Sequence, residues 1–330
     1  MRNRQVLLAS RPKGWVEESN FRMVEKEVPP VRHGEVLTRV HYLSLDPYMR
    51  GRMGESKSYA PPQKLDEVMI GGTVAEVIES RNPAYRVGDV VVGMAGWQEY
   101  EVTDGRMLRK VDTGVVPASA YLGAVGMPGV TAWYGLTQIC KPRPGETVVV
   151  SAASGAVGSV AGQLAKIMGC RTVGVAGGRA KCDHVVKELG LDACADYKAG
   201  SFREDFEAAT PNGIDVVFEN VGGPVFDSAL AGMNPFGRIA VCGLIAGYNG
   251  QDISLRNVRS ILVNRLLVQG FIVTEHLELW PQALKELAQH VAAKRIQYRE
   301  TVAQGLESAP RAFIGLLRGE NLGKQLVKLV

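Results

Sequence analysis

Apolar and polar positions alternate along this chain in two different rhythms. In the middle, Val148-Val149-Val150 passes through Ser151-Ala152-Ala153-Ser154-Gly155 into a segment whose apolar positions, Val157, Val160, Ala161, Leu164, Ala165 and Met168, recur at helical spacing. A strand, a tight loop and a helix are predicted there. A second apolar strand, Thr172-Val173-Gly174-Val175-Ala176, follows, then a helix around Val185, Val186 and Leu189. Further strands are expected at Asp215-Val216-Val217-Phe218, Ile239-Ala240-Val241-Cys242 and Leu266-Leu267-Val268. Strands alternating with helices predict an α/β fold with a parallel, doubly wound (Rossmann) sheet.

The first part of the chain has another texture. Val36 to Tyr42, Thr73 to Ile78 and Val87 to Val92 are short strand-like runs between Gly-, Pro- and Asp-rich turns, as in an irregular β-rich domain. A helix is predicted from Glu278 to Ala293, and Gln325 to Val330 alternates like an antiparallel strand. Such a terminal strand needs a sheet, and the β-rich domain is the expected host. The expected organisation is residues 1–124 as the β-rich substrate domain, 125–290 as the nucleotide domain and 291–330 as a return to the first.

A chain of 330 residues is long for one hydrophobic core, in keeping with two domains. Its net charge of +4 is not gathered into basic runs, which argues against nucleic acid or an anionic membrane as partner. No apolar stretch reaches the roughly 18 residues of a membrane span, and Val6-Leu7-Leu8-Ala9 is too short for a signal-peptide core. Five cysteines without a CxxC spacing suit reduced thiols and a cytoplasmic location. The five histidines form no ligand-spaced group with cysteines or carboxylates, so no metal is expected.

The loop before the central helix carries the first candidate chemistry. Free N–H groups at a helix start, together with the helix dipole, favour a pyrophosphate, and Gly155-Ala156-Val157-Gly158 would let it approach the backbone. Ala153 stands where the first glycine of the dinucleotide fingerprint belongs. An NAD site would place a carboxylate at the end of the second strand, where this chain instead reads Ala176-Gly177-Gly178-Arg179-Ala180-Lys181. Two cations and no acid there favour a 2′-phosphate, hence NADPH.

Residue motifs then point to a family. Leu45-Asp46-Pro47-Tyr48-Met49-Arg50-Gly51, Met127-Pro128-Gly129-Val130-Thr131-Ala132-Trp133, Glu219-Asn220-Val221-Gly222-Gly223, Cys242 to Asn249, Arg295-Ile296-Gln297-Tyr298 and Glu320-Asn321-Leu322-Gly323-Lys324 span nearly the whole chain. With them the sequence resembles the zinc-independent double-bond reductases of the medium-chain dehydrogenase/reductase superfamily, the group of prostaglandin reductase (leukotriene B4 12-hydroxydehydrogenase), 2-alkenal reductases and curcumin reductase-like proteins. Where zinc-dependent members carry ligands, this chain has Leu43-Ser44-Leu45-Asp46 and Ile70-Gly71-Gly72-Thr73, and a four-cysteine lobe is missing.

The resemblance implies a GroES-like first domain and a homodimer. It implies that Lys181 and Tyr197 hold the 2′-phosphate, that Asn220 lies beside the cofactor, and that Cys242, Gly243, Leu244 and Ile245 line the nicotinamide. Backbone groups of Phe271 and Val273 would receive the carboxamide, Asn321 would help close the cofactor groove, and Tyr48 and Tyr248 would face the substrate. The implied reaction is hydride transfer from NADPH to the β-carbon of an enal or enone, a small-molecule substrate, with Tyr248 stabilising the enolate. A phenol of ordinary pKa, near 10, suits that donor role better than proton transfer at neutral pH. An NADPH:quinone oxidoreductase and a non-catalytic NADPH-binding protein are the rival readings.

Overall fold

The computed structural model describes residues 1–330, which divide into two compact units, Met1–Leu122 with Glu300–Val330, and Gly123–Arg299. The first unit opens with β1 (Arg2–Leu8) and β2 (Phe21–Glu27), an antiparallel pair. Next come β3 (Val36–Ser44), the single-turn helix α1 (Tyr48–Arg52), β4 (Thr73–Ser80), β5 (Val90–Gly93), β6 (Tyr100–Thr103) and β7 (Arg109–Lys110). The run expected to start at Val87 begins as a strand only at Val90. Gly88 has φ +91°, and the Asp89 carboxylate accepts the Arg86 N–H at 2.8 Å, so residues 86–89 turn instead of extending.

The second unit starts with α2 (Met127–Tyr134), which runs on through a wider π-type turn to Cys140. It continues through β8 (Thr147–Ser151), α3 (Gly158–Ile167), β9 (Arg171–Ala176), α4 (Arg179–Lys187), β10 (Ala193–Asp196), α5 (Phe202–Ala209), β11 (Ile214–Glu219) and α6 (Gly223–Ala231). It is completed by β12 (Met233–Val241), α7 (Arg259–Val263), β13 (Leu267–Gly270) and α8 (Trp280–Ala292). The six strands pair in parallel in the order β10-β9-β8-β11-β12-β13. Numbered within the unit this is 3-2-1-4-5-6, the doubly wound order whose direction reverses between β8 and β11.

Burial explains the apolar runs. Every residue of β8 is buried, as expected of a central parallel strand covered on both faces, where alternation gives way to continuous Val and Ile. At the other extreme all four residues of the edge strand β13 are exposed. Helix α8 starts at Trp280, with a 3₁₀ turn over Leu277–Leu279 before it and Pro281 in its first turn, where a missing N–H costs nothing.

The chain re-enters the first unit with β14 (Glu300–Gln304), α9 (Ala309–Leu317) and β15 (Lys324–Lys328). β15 pairs antiparallel with β3 and parallel with β14, so the C-terminal strand lies in the β-rich sheet. That sheet has the order β14-β15-β3-β4-β5-β7, with β6 also on β3.

Candidate active site

The carboxyl ends of the parallel strands carry most of the sequence-predicted site residues. At the end of β8 the backbone bends sharply, Ala152 taking the left-handed φ of +49°. The Gly155 N–H bonds to the Ala152 carbonyl at 2.9 Å, and Ser159 N–H to the Gly155 carbonyl at 3.0 Å, which closes the loop into α3. A Cβ on Gly158 would lie 2.3 Å from the Ala152 oxygen, so strand and helix approach in a way only glycine allows. Ala153, in the place of the first fingerprint glycine, is accommodated from the next strand: a Cβ on Gly174 would sit 2.8 Å from the Ala153 methyl. Val157, at the N-cap of α3, makes no side-chain cap bond, in keeping with a backbone-built anion cradle. The residues present therefore fit a dinucleotide pyrophosphate.

The ends of β9 and β10 build the adjoining corner. The Tyr197 ring lies against Gly177, where a Cβ would meet its hydroxyl at 2.7 Å. Lys181, in the first turn of α4, is half-buried, and its ammonium is pushed below the ordinary lysine range by burial and then by Lys198. A dianionic phosphate would relieve both penalties. Arg179 is exposed and pairs with Asp183 at 3.5 Å. The end of β9 itself carries no acid, yet the fold brings one in from β10: the Asp196 carboxylate accepts the N–H groups of Gly178 at 2.7 Å and Lys198 at 2.9 Å. That carboxylate is spent on fixing the glycine turn.

Between β8 and β11, at the reversal point of the sheet, three loops are tied together. Asn220 donates its N–H to Ser151 Oγ and its Nδ2 to the Ser151 carbonyl, both at 2.7 Å. The Glu219 carbonyl accepts Cys242 N–H at 2.8 Å and Gly243 N–H at 3.2 Å. Ile245 and Ala246 N–H groups bond back to the Asn220 and Val221 carbonyls. The Glu219 side chain, fully buried, accepts the N–H groups of Val221 and Gly222 through Oε1, while burial raises its carboxyl and pushes the neighbouring Cys242 thiol up to about 12. Sequence reasoning missed Glu219 as an organiser of this turn, although it heads the Glu-Asn-Val-Gly-Gly motif. The stretch Cys242, Gly243, Leu244, Ile245 to Tyr248 is partly exposed throughout, and the Tyr248 hydroxyl folds back to 3.2 Å from the position of a Cβ on Gly243.

Phe271 and Val273 follow β13. The Phe271 ring stacks on Tyr134 with centroids 5.4 Å apart. The Val273 carbonyl accepts both Trp280 Nε1 at 3.1 Å and His276 N–H at 3.3 Å. With two lone pairs occupied, its N–H is the group suited to a carboxamide oxygen.

Tyr48 and Asn321 belong to the other unit. Tyr48 opens α1, and its hydroxyl is pushed up by burial and then by the Asp46 carboxylate. Asn321 Nδ2 donates to the Gly323 carbonyl at 2.8 Å, shaping the turn before β15. No group of three or more His, Cys, Asp and Glu side chains is arranged to hold a metal ion, and no helix is long and apolar enough to cross a membrane.

Comparison with known proteins agrees with this geometry. Residues 4–111 match the family model described as the N-terminal domain of oxidoreductase, and residues 156–289 match the zinc-binding dehydrogenase model. The chain is 46% identical to the NADPH-dependent curcumin reductase of Escherichia coli, covering 99% of this chain and 97% of that protein. It is 41% identical to the NADP(+)-dependent 2-alkenal reductase of Nicotiana tabacum, covering 98% and 97%. The crystal structure of CurA from Vibrio vulnificus in complex with NADPH superposes with a TM-score of 0.95 at 44% identity, covering 99% of both chains.

Proposed function

The chain belongs to the double-bond reductase branch of the medium-chain dehydrogenase/reductase superfamily, and on that premise we propose that it reduces the α,β carbon–carbon double bond of enals and enones with NADPH. The single observation that carries this reading is the position of the Tyr248 hydroxyl, folded over Gly243 in the loop that Glu219 and Asn220 tie to the reversal point of the sheet.

When bound, the nicotinamide supplies a hydride to the substrate β-carbon. The chain's own residues do the rest. Gly155, Ala156, Val157 and Gly158 hold the pyrophosphate, Lys181 and Tyr197 the 2′-phosphate, and Asn220, the 242–245 loop and the backbone of Phe271 and Val273 orient the nicotinamide. The family resemblance assigns Asn321 a cofactor role and Tyr48 a substrate role. The Tyr248 hydroxyl donates to the substrate carbonyl oxygen as negative charge gathers there. One such donor is typically worth roughly 3 to 4 kcal/mol of barrier.

We further propose a cytoplasmic homodimer that works without zinc. Support for the location comes from five free thiols. Support for the dimer comes from β13, a strand at the edge of the parallel sheet that carries the exposed Leu267 and Val268 and is preceded by the exposed Leu262 and Val263 of α7. A second copy related by a two-fold axis would cover that edge. Sedimentation of the chain and of Leu267→Asp tests this, the variant being expected as a monomer.

The functional test is a panel of enals, enones and quinones assayed with NADPH and with NADH, before and after a chelator. Turnover of enones with NADPH, unaffected by the chelator, is expected. Turnover of quinones alone would favour the quinone oxidoreductase reading, and tight NADPH binding without turnover the non-catalytic one.

A further inference from the structure

The fold brings together two cysteines that the sequence sets on different elements. Cys182 in α4 and Cys194 in β10 have their sulfurs 3.0 Å apart, and both are free thiols. Cys182 is buried and Cys194 partly exposed, the latter over Gly174, where a Cβ would lie 3.3 Å from its sulfur. Formation of a disulfide requires a sulfur separation of about 2.05 Å, an approach of only about 1 Å. The pair also has a strategic address: Lys181 immediately precedes Cys182, and Asp196, which holds the Gly178 N–H, and Tyr197 follow Cys194.

We propose that Cys182 and Cys194 are a redox-sensitive dithiol that hydroperoxides convert to a disulfide, and that the bridge weakens the grip of the adjoining corner on the nucleotide 2′-phosphate. The second half rests on the NADPH reading given above.

The two sulfurs have complementary roles. The Cys194 S–H donates to Cys182, and this bond holds the Cys182 thiol below its ordinary range against burial and the Asp196 and Asp183 carboxylates. The helix start adds to the preference for a thiolate there. Cys194 is pushed upward and keeps its proton. The Cys182 thiolate attacks the terminal peroxide oxygen, the O–O bond breaks, and the alkoxide leaves with a proton as an alcohol, or as water from hydrogen peroxide. Cys182 is then a sulfenic acid. The Cys194 sulfur attacks the Cys182 sulfur, the S–O bond breaks, and hydroxide leaves with the Cys194 proton as water. Two thiols lose two electrons and two protons, and the hydroperoxide is reduced to an alcohol and water.

Closing the sulfurs draws the first turn of α4 against β10, so Lys181 and Tyr197 shift away from the positions they hold in the dithiol form. NADH, which lacks the 2′-phosphate, has less to lose.

The experiment treats reduced, nucleotide-free protein with hydrogen peroxide, maps the peptides after alkylation of remaining thiols, and measures NADPH and NADH dissociation constants by nucleotide fluorescence. A Cys182–Cys194 cross-linked peptide that dithiothreitol removes is expected, together with NADPH binding weakened about tenfold and NADH binding little changed. Cys182→Ser and Cys194→Ser should each lack the cross-link and keep their NADPH affinity through the treatment. Absence of the cross-linked peptide, or a bridged protein that binds NADPH as tightly as the reduced one, would overturn the proposal. Reduced protein with no preference for NADPH over NADH would contradict the cofactor reading and with it the affinity half, while the peptide map decides the bridge by itself.

Discussion

Lys324 Nζ donates to Asp46 Oδ1 at 2.8 Å, and both side chains are buried. The same ammonium donates to the Leu45 carbonyl at 2.6 Å, and Ser44 Oγ donates to the other Asp46 oxygen. The returning strand β15 is thereby pinned to the segment that leads into Tyr48. Burial pushes the Lys324 ammonium down, against the opposing pull of Asp46 and Glu300. Lys324→Met leaves a carboxylate buried without its partner and should destabilise the fold by about 3–5 kcal/mol in denaturant titration. The double variant with Asp46→Asn should recover part of that loss. Equal stability of Lys324→Met and the unaltered protein would show the pair to be dispensable.

Tyr248→Phe keeps the ring and removes the donor. The lost bond exists chiefly in the transition state, so kcat on a simple enone should fall while NADPH affinity stays nearly constant. A loss between about tenfold and a few hundredfold is expected. Unchanged kcat would restrict Tyr248 to lining the site.

For Lys181→Ala the expected effect is on cofactor choice. The unaltered protein should prefer NADPH over NADH by at least about tenfold, roughly 1.4 kcal/mol, and the variant should narrow that gap through weaker NADPH binding. Equal dissociation constants for the two nucleotides in the unaltered protein would contradict the assignment of this corner.

Glu101 on β6 is pushed up to about 7 by burial, whereas an unfolded glutamate titrates near 4.3. Between these values the folded protein binds more protons than the unfolded chain, so stability should fall as pH rises from about 4.5 through 7. Glu101→Gln should flatten that decline in melts recorded across this range. An identical slope in the variant would place the titration elsewhere.

Much of the parallel sheet is legible in the sequence because its central strands are covered on both faces. Val148-Val149-Val150 and Val216-Val217-Phe218 leave continuous apolar signatures. The apolar run at Val87 misleads for a local reason, the left-handed Gly88 and the Asp89 turn, which hydrophobicity does not register. The glycine loop is readable despite Ala153, but its compensation at Gly174 lies one strand away. What pattern reading misses are side chains that meet across strand ends: Asp196 on the Gly178 N–H, and Cys182 against Cys194. Each depends on register between elements, which neither composition nor periodicity encodes.

Hydride transfer to the β-carbon is tested most directly by the fate of deuterium from NADPH carrying deuterium at both C4 positions of the nicotinamide, given to the protein with a simple α,β-unsaturated ketone. The expected product is the saturated ketone, formed in step with NADPH consumption and carrying deuterium at the β-carbon. An allylic alcohol with deuterium on the former carbonyl carbon, or an enone returned unchanged, would contradict it.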